Sequence, residues 1–414
     1  MKNPSLVPEP HRARLSVAAH WLAVAVMVVL PWSTSAVSIL TVIWALTLLP
    51  TVQWSEVEQT LRKPAALLPV LLVVLALVGL AWSDAPWVSE ARNLQPFFKL
   101  LAIPLLIIQF ARTEHARALL NAFIASSAVL LIASYAHATW PTISLPLTNP
   151  QVPGAPVVDY IVQSGFFTYS AFLLLAMAAE NWRDGLRRPA ILQCVLAAAF
   201  LINIAAVVTG RTSLVVVAAL VIVFGARAAS KRTMIIVGLA AIVLVTAAWV
   251  SAPQLRTRVM SVFDEVHRYE TTGELTSSGQ RITFWHISLL ALKQSPVIGL
   301  GTGGNEPWFG QKVSELGLTG LASMRNPHNQ ILAVGLQLGL VGIAVLLAMW
   351  IAHVLVFRGS GLIAWAGLSA VIQNVVASLF NSHLFDFAPG WFYVFVIGAM
   401  AGSIFRQQAT SGES

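Results

Sequence analysis

The chain has 414 residues, 57% hydrophobic and 10% charged, with a mean hydropathy of +0.76. Soluble domains usually carry about 25% charged residues, so this composition excludes a water-soluble globule and reads as an integral membrane protein. The net charge of +8 does not point to nucleic acid, because most basic residues sit in short clusters between apolar spans, where topology places them.

The apolar runs are about 15–25 residues long, which suits helices rather than the shorter alternating strands of a barrel. The fold class expected is therefore all-α. Twelve spans are predicted, at about 15–31, 36–51, 65–82, 97–111, 116–139, 164–181, 190–208, 212–227, 233–250, 328–357, 361–380 and 388–405. Lys2 to Arg14 followed by an apolar run resembles a signal peptide, but a second run begins at Ala36, after Ser33-Thr34-Ser35. The first run is more simply read as a retained span. Cys194, the single cysteine, lies in an apolar run and allows no internal disulfide.

With the N-terminus inside, the inner segments collect most of the Lys and Arg, among them Arg12, Arg62, Arg112, Arg183, Arg187, Arg227, Arg358 and Arg406. Short outer loops are then nearly free of positive charge, as the positive-inside rule requires, and both termini are cytoplasmic. The one long polar stretch, 251–327, faces the exterior or periplasm. The expected organisation is a single integral membrane domain over 1–414 with this one large loop between the ninth and tenth spans.

The loop holds seven Lys/Arg: Arg256, Arg258, Arg268, Arg281, Lys293, Lys312 and Arg325. A basic insert of this kind suits an anionic lipid headgroup. Ile282–Leu292 has helical periodicity, with Arg281 opening the helix, and Gly299-Leu300-Gly301-Thr302-Gly303-Gly304 reads as a flexible loop. An Arg near a helix start opposes the macrodipole and calls for an anion. Arg211 sits in the turn between two apolar spans with no acid nearby in sequence, so its guanidinium needs a carboxylate, carbonyls or a phosphate. The plainer readings are a solvated or lipid-headgroup-facing side chain for Arg281 and snorkelling to the interface for Arg211.

In Arg325-Asn326-Pro327-His328-Asn329, Asn326 is the expected N-cap and Pro327 the first helical residue. That places His328 in a first turn, where the dipole keeps the ring neutral and fit to act as a base. A hydrogen-bonding interface histidine is the plainer alternative. Lys99 near an external span start could reach a phosphate or snorkel. Asp84, in Trp82-Ser83-Asp84-Ala85-Pro86-Trp87, lies in an external turn. Tyr160, with Gln163 and Ser164, could line a sugar site or simply end a helix. Asn381-Ser382-His383 with Asp386 offers too few ligands for a metal. No outward Asp-x-Asp pair and no phosphate-binding Gly-rich loop ending in Lys-Ser/Thr occurs.

Gly210-Arg211-Thr212, Arg281 to Trp285, Pro296 to Gly301 and Pro327-His328-Asn329, in that order and on one topological side, resemble the O-antigen ligase and polymerase superfamily. The resemblance covers about residues 190–345. It implies a lipid-linked glycosyltransferase of the all-helical GT-C-like type in the bacterial inner membrane, with its active site on the periplasmic face. The implied donor is undecaprenyl-pyrophosphate-linked O-antigen. For a ligase the acceptor is the lipid A-core oligosaccharide; for a polymerase it is another lipid-linked repeat. Inversion without a metal or other cofactor is also implied. The residues suit that chemistry: His328 as base, Arg211 and Arg281 as pyrophosphate clamp, with Lys99, Arg325, Asn329, Asp84 and Tyr160 as candidate substrate contacts. A transporter or flippase of twelve spans is the competing class, but such proteins keep their polar site near mid-membrane.

Overall fold

The computed structural model describes residues 9–140, 152–208, 210–227, 246, 249–250, 253–318 and 326–412. Every regular element among them is helical, so the all-α expectation holds. Among the described residues, nine helical segments are long and apolar enough to cross a membrane, and two shorter apolar helices accompany them. The predicted span 233–250 lies almost wholly outside the described residues.

The first two spans are α1 (Glu9–Val29) and α2 (Thr34–Leu48), an antiparallel pair turned by Ser33, whose side chain caps α2. A short helix, α3 (Trp54–Leu61), opens with a reciprocal cap between Gln53 and Glu56. Glu56 also takes Arg12 and Arg112, which tie α3 to the first span and to the end of α6. Next come α4 (Pro64–Val78), α5 (Trp87–Phe98) and α6 (Ala102–Ala111). The last two form one span over Trp87–Ala111, which starts ten residues before the predicted 97. Glu90 and Arg92 hid that start, and Arg92 now pairs with Glu306 of the insert at 2.9 Å.

Helices α7 (Ala116–Thr139), α8 (Tyr160–Arg183), α9 (Arg187–Ala206) and α10 (Arg211–Ala226) follow. The insert contributes α11 (Pro253–Thr272), α12 (Ser277–Gln294) and α13 (Asn305–Glu315). The chain ends with α14 (Gln330–Val356), α15 (Leu362–Ala377) and α16 (Phe387–Ser411). One large apolar core runs through the bundle, in which Phe123 meets Phe166 and Tyr169 meets Phe392 edge to face, with Phe123 tilted against Phe392. The insert has a smaller core of its own, where Phe284, Ile287, Trp308 and Phe309 close over Leu336 of α14.

The Gly-rich segment after α12 is packed, not the flexible loop expected. Helix α14 breaks at Gly339 (φ 61°), and a broken helix at membrane level leaves backbone groups without partners. The segment supplies them. Leu340 N–H donates to Pro296 O at 2.8 Å, Leu300 N–H to Leu336 O at 2.8 Å and Gly301 N–H to Gln337 O at 3.0 Å. On its other side Thr302 donates through Oγ1 to Ala76 O at 2.6 Å, and Ser89 Oγ donates to Gly303 O at 2.8 Å. A Cβ on Gly339 would lie 2.3 Å from the Val297 carbonyl carbon, and one on Gly301 would lie 2.6 Å from Ser83 Cα. Only glycine fits these two crossings.

Candidate functional site

The site forms where α8, α10 and α14 begin and α15 ends, beneath α11 and α12. Arg211 is the first residue of α10. Gly210 caps that helix in extended backbone and packs so closely on α8 that a Cβ there would meet Ser164 Oγ at 2.4 Å. The guanidinium is therefore anchored at a fixed helix start.

The carboxylate that Arg211 lacked in sequence is Glu265, fifty-four residues away on α11. The pair is bidentate, Nη1 to Oε2 at 3.0 Å and Nη2 to Oε1 at 2.5 Å, and Nη2 also donates to Ser261 Oγ at 2.9 Å. Glu265 is buried, and its Oε2 accepts from the backbone N–H and hydroxyl of Ser278 at 3.1 and 2.6 Å. One carboxylate thus ties α10 to α11 and sits on the positive end of α12. The Arg211 hydrogen bonds first, and those from Ser278 after them, hold its pKa down to about 2. Two of the five guanidinium N–H groups, Nε–H and the second on Nη1, have no partner among these contacts and remain for a ligand.

Arg281 lies in the second turn of α12, since Thr276 is the N-cap and its Oγ1 accepts from Gly279 N–H at 3.1 Å. The helix thus starts five residues before the predicted Ile282. Tyr269 of α11 holds it through a hydroxyl contact to Thr283 at 3.0 Å. Arg281 is half-buried, and among the described residues it takes no hydrogen bond or ion pair. Burial first, then the Arg211 charge, lowers its pKa, and Tyr160 and Glu265 oppose them. Two guanidiniums within electrostatic reach of each other, one carrying no counter-ion of its own, make a place where an anion gains.

His328 does not sit in a first helical turn. Helix α14 starts at Gln330, and Asn329 is its cap, taking Ile331 and Leu332 N–H at 3.0 and 3.1 Å. Asn326 instead accepts from His328 N–H at 2.9 Å in a tight turn and from Ser382 Oγ at 2.7 Å. His328 has a left-handed backbone (φ 51°), uncommon outside glycine and frequent where function holds a residue in place. Its pKa is lowered as the sequence suggested, but by burial first rather than by a dipole; Arg281 adds to this, while the Asn381 hydrogen bond and Asp386 oppose it. Nδ1 lies 3.1 Å from Oδ1 of Asn381. An amide oxygen only accepts, so Nδ1 carries the proton and Nε2 offers its lone pair. The ring rests near Phe284, one turn after Arg281, with centroids 6.2 Å apart.

The remaining predicted contacts separate. Tyr160, the first residue of α8, is coupled to both arginines. Asn329 is occupied as a cap and donates to Leu379 O at 3.1 Å. Lys99 is buried, and its ammonium donates to Phe385 O at 3.0 Å and Asp386 O at 2.8 Å. It acts as a strut under the last loop rather than an open phosphate contact. Asp84 is exposed in the turn that Ser83 ties to the packed Gly-rich segment, away from the contacts of the two arginines and His328 described above. Arg325 lies outside the described residues. His383 Nδ1 comes 3.1 Å from Asp386 Oδ2, outside hydrogen-bond geometry. No group of three His, Cys, Asp or Glu side chains among the described residues is placed to hold a metal.

Sequence reasoning missed Glu265, Ser261, Ser278 and the role of Asn381. The only forward signal was the demand of Arg211 for an anion, which named a chemical type but no position.

An all-helical polytopic membrane protein with a half-buried cationic pair and a neutral histidine at one end of its bundle is the class these features define. Residues 196–347 match the family model described as O-antigen ligase, a span that contains Arg211, Arg281 and His328. This match supports the O-antigen ligase and polymerase superfamily, whose members are glycosyltransferase-like enzymes. No curated protein matches the chain.

Proposed function

We propose that the chain is an O-antigen ligase of the bacterial inner membrane. It transfers a glycan from undecaprenyl pyrophosphate to the lipid A-core oligosaccharide on the periplasmic face, with both termini in the cytoplasm. Arg281 and the remaining N–H groups of Arg211 bind the pyrophosphate, and fixed guanidiniums stabilise the charge that grows on it as the glycosidic C–O bond breaks. His328 Nε2 takes the proton from the acceptor hydroxyl as that oxygen attacks the anomeric carbon from the opposite side. Asn381 holds the ring in the tautomer this requires.

The observation that carries the reading is the coupled set Arg211, Arg281 and His328, with a neutral imidazole beside an arginine that has no counter-ion. A polymerase would use the same groups on a lipid-linked acceptor. The test is transfer by the purified protein with lipid-linked glycan and lipid A-core acceptor. His328→Ala and Arg211→Ala should each abolish it while the protein stays folded. Full activity in both refutes the site; transfer only onto a second lipid-linked repeat makes the chain a polymerase.

A further inference from the structure

Directly below the site a narrow crevice, with a cavity volume of about 30 Å³, runs between α8, α10, α15 and α16. Its mouth adjoins the site on both sides. Thr212 and Ser213 follow Arg211, Ile161 follows Tyr160, and His383 stands two residues after Asn381. Apolar walls come from Ile161, Phe166, Val216 and Phe392. Into this otherwise greasy space α15 presents Gln373 and Asn374, and Asn374 is only 5% exposed.

Neither amide oxygen is satisfied. Gln373 Oε1 and Asn374 Oδ1 are buried without a hydrogen-bond partner, and His383 Nδ1 makes no hydrogen bond despite its proximity to Asp386. Two of the hydroxyls nearby are already used, since Ser213 donates to Ser164 at 2.9 Å and Ser164 donates to Tyr160 O at 2.8 Å. A buried acceptor left empty is costly, and membrane spans seldom keep several together without a ligand. An isoprenoid tail in this crevice would leave all of them unmatched. A partner with O–H or N–H donors on one edge would match them.

We propose that this crevice is a sugar-hydroxyl subsite: Gln373 and Asn374 accept hydrogen bonds from a hydroxyl-bearing edge of a glycan residue whose reacting end lies between Arg211 and His328. The cavity is too small for a whole ring, so an edge enters while the rest of the ring stays at the mouth. The inference rests on the transferase reading and names a substrate contact for the same site. The ring belongs to the donor glycan or to the acceptor oligosaccharide, both of which offer this chemistry.

The decisive variant is Asn374→Leu, which keeps the volume and removes the acceptor; Gln373→Leu is its companion. Steady-state transfer is measured with donor and acceptor varied separately, and thermal melting is followed with and without methyl glucoside and N-acetylglucosamine. The expected result is a KM about fivefold to tenfold higher for one substrate, with kcat nearly retained and melting in the absence of sugar unchanged or raised. A rise in donor KM assigns the ring to the donor, and a rise in acceptor KM assigns it to the acceptor. Unchanged KM values for both substrates in a folded variant overturn the proposal and leave the crevice to water. If the wild-type protein transfers nothing, the transferase reading fails and melting alone decides the subsite. A sugar-dependent rise in the wild type that Asn374→Leu lacks upholds it, and equal responses overturn it.

Discussion

Asn381 should set the pH at which the site works. Its Oδ1 stands 3.1 Å from His328 Nδ1, so Asn381→Asp places a carboxylate against the ring with little change of shape. Two unit charges at that distance attract by about 5 kcal/mol at an effective dielectric of ~20, which caps the rise in the imidazole pKa near ~4 units. Burying the new carboxylate, with Asp386 nearby as a like charge, takes back part of that. A rise of about 1–3 units remains. In the wild type burial holds the ring below its ordinary value of 6.5, so the acid limb of kcat/KM should lie below pH 6.5. In Asn381→Asp the limb should move upward by that rise. At pH values below the shifted limb, the neutral fraction and the rate should fall about tenfold for each unit of that rise. Asn381→Ala removes a hydrogen bond that raises the pKa, so its limb should shift the other way. The assay is glycan transfer by the purified protein from pH 5 to 8. Coincident acid limbs for all three proteins would refute His328 as the base.

Arg281→Ala removes the guanidinium that has no counter-ion, and kcat should fall by about a hundredfold or more with melting unchanged; Arg281→Lys should recover part of it. Glu265→Ala should destabilise α11 and α12 by about 2–3 kcal/mol at pH 7, less than for a fully buried pair because Arg211 keeps some solvent contact; hydrogen exchange of 253–294 measures it. The folded pKa of Glu265 is depressed, so its stabilisation is complete above about pH 4.5 and is lost as pH falls toward about 2; the gap between wild type and Glu265→Ala should close over that window. Gly339→Ala forces a Cβ into the Val297 carbonyl at a positive φ and should cut the yield of folded protein sharply, as detergent-solubilised gel filtration would report.

Much of the membrane layout was written in the apolar runs, because hydropathy alone decides what a bilayer accepts. The fourth span escaped in part since Arg92 and Glu90 made Trp87–Phe98 read as a loop, although Arg92 turns to Glu306 rather than to lipid. Arg211, Arg281 and His328 stood out as polar residues beside apolar runs. Their partners did not. Glu265 and Asn381 lie fifty-four and fifty-three residues from the groups they hold, and nothing local marks either. The start of α14 was misplaced by three residues because Asn326 and Asn329 are equally good caps on paper. In the fold Asn326 is drawn off by His328 N–H and Ser382, which leaves Asn329 to open the helix.

The glycine segment after α12 has a bearing on biogenesis. Residues 296–304 are synthesised before the stretch around Leu336–Val341 that receives them, and that receptor opens only where α14 is interrupted. The earlier docking face, at Ala76–Ser89, is already made. The helices of the insert therefore reach their final seat only after the tenth predicted span has been made. A chain truncated just short of residue 330 and released from the ribosome should carry an insert that an added protease cuts readily, whereas the full chain should be protected.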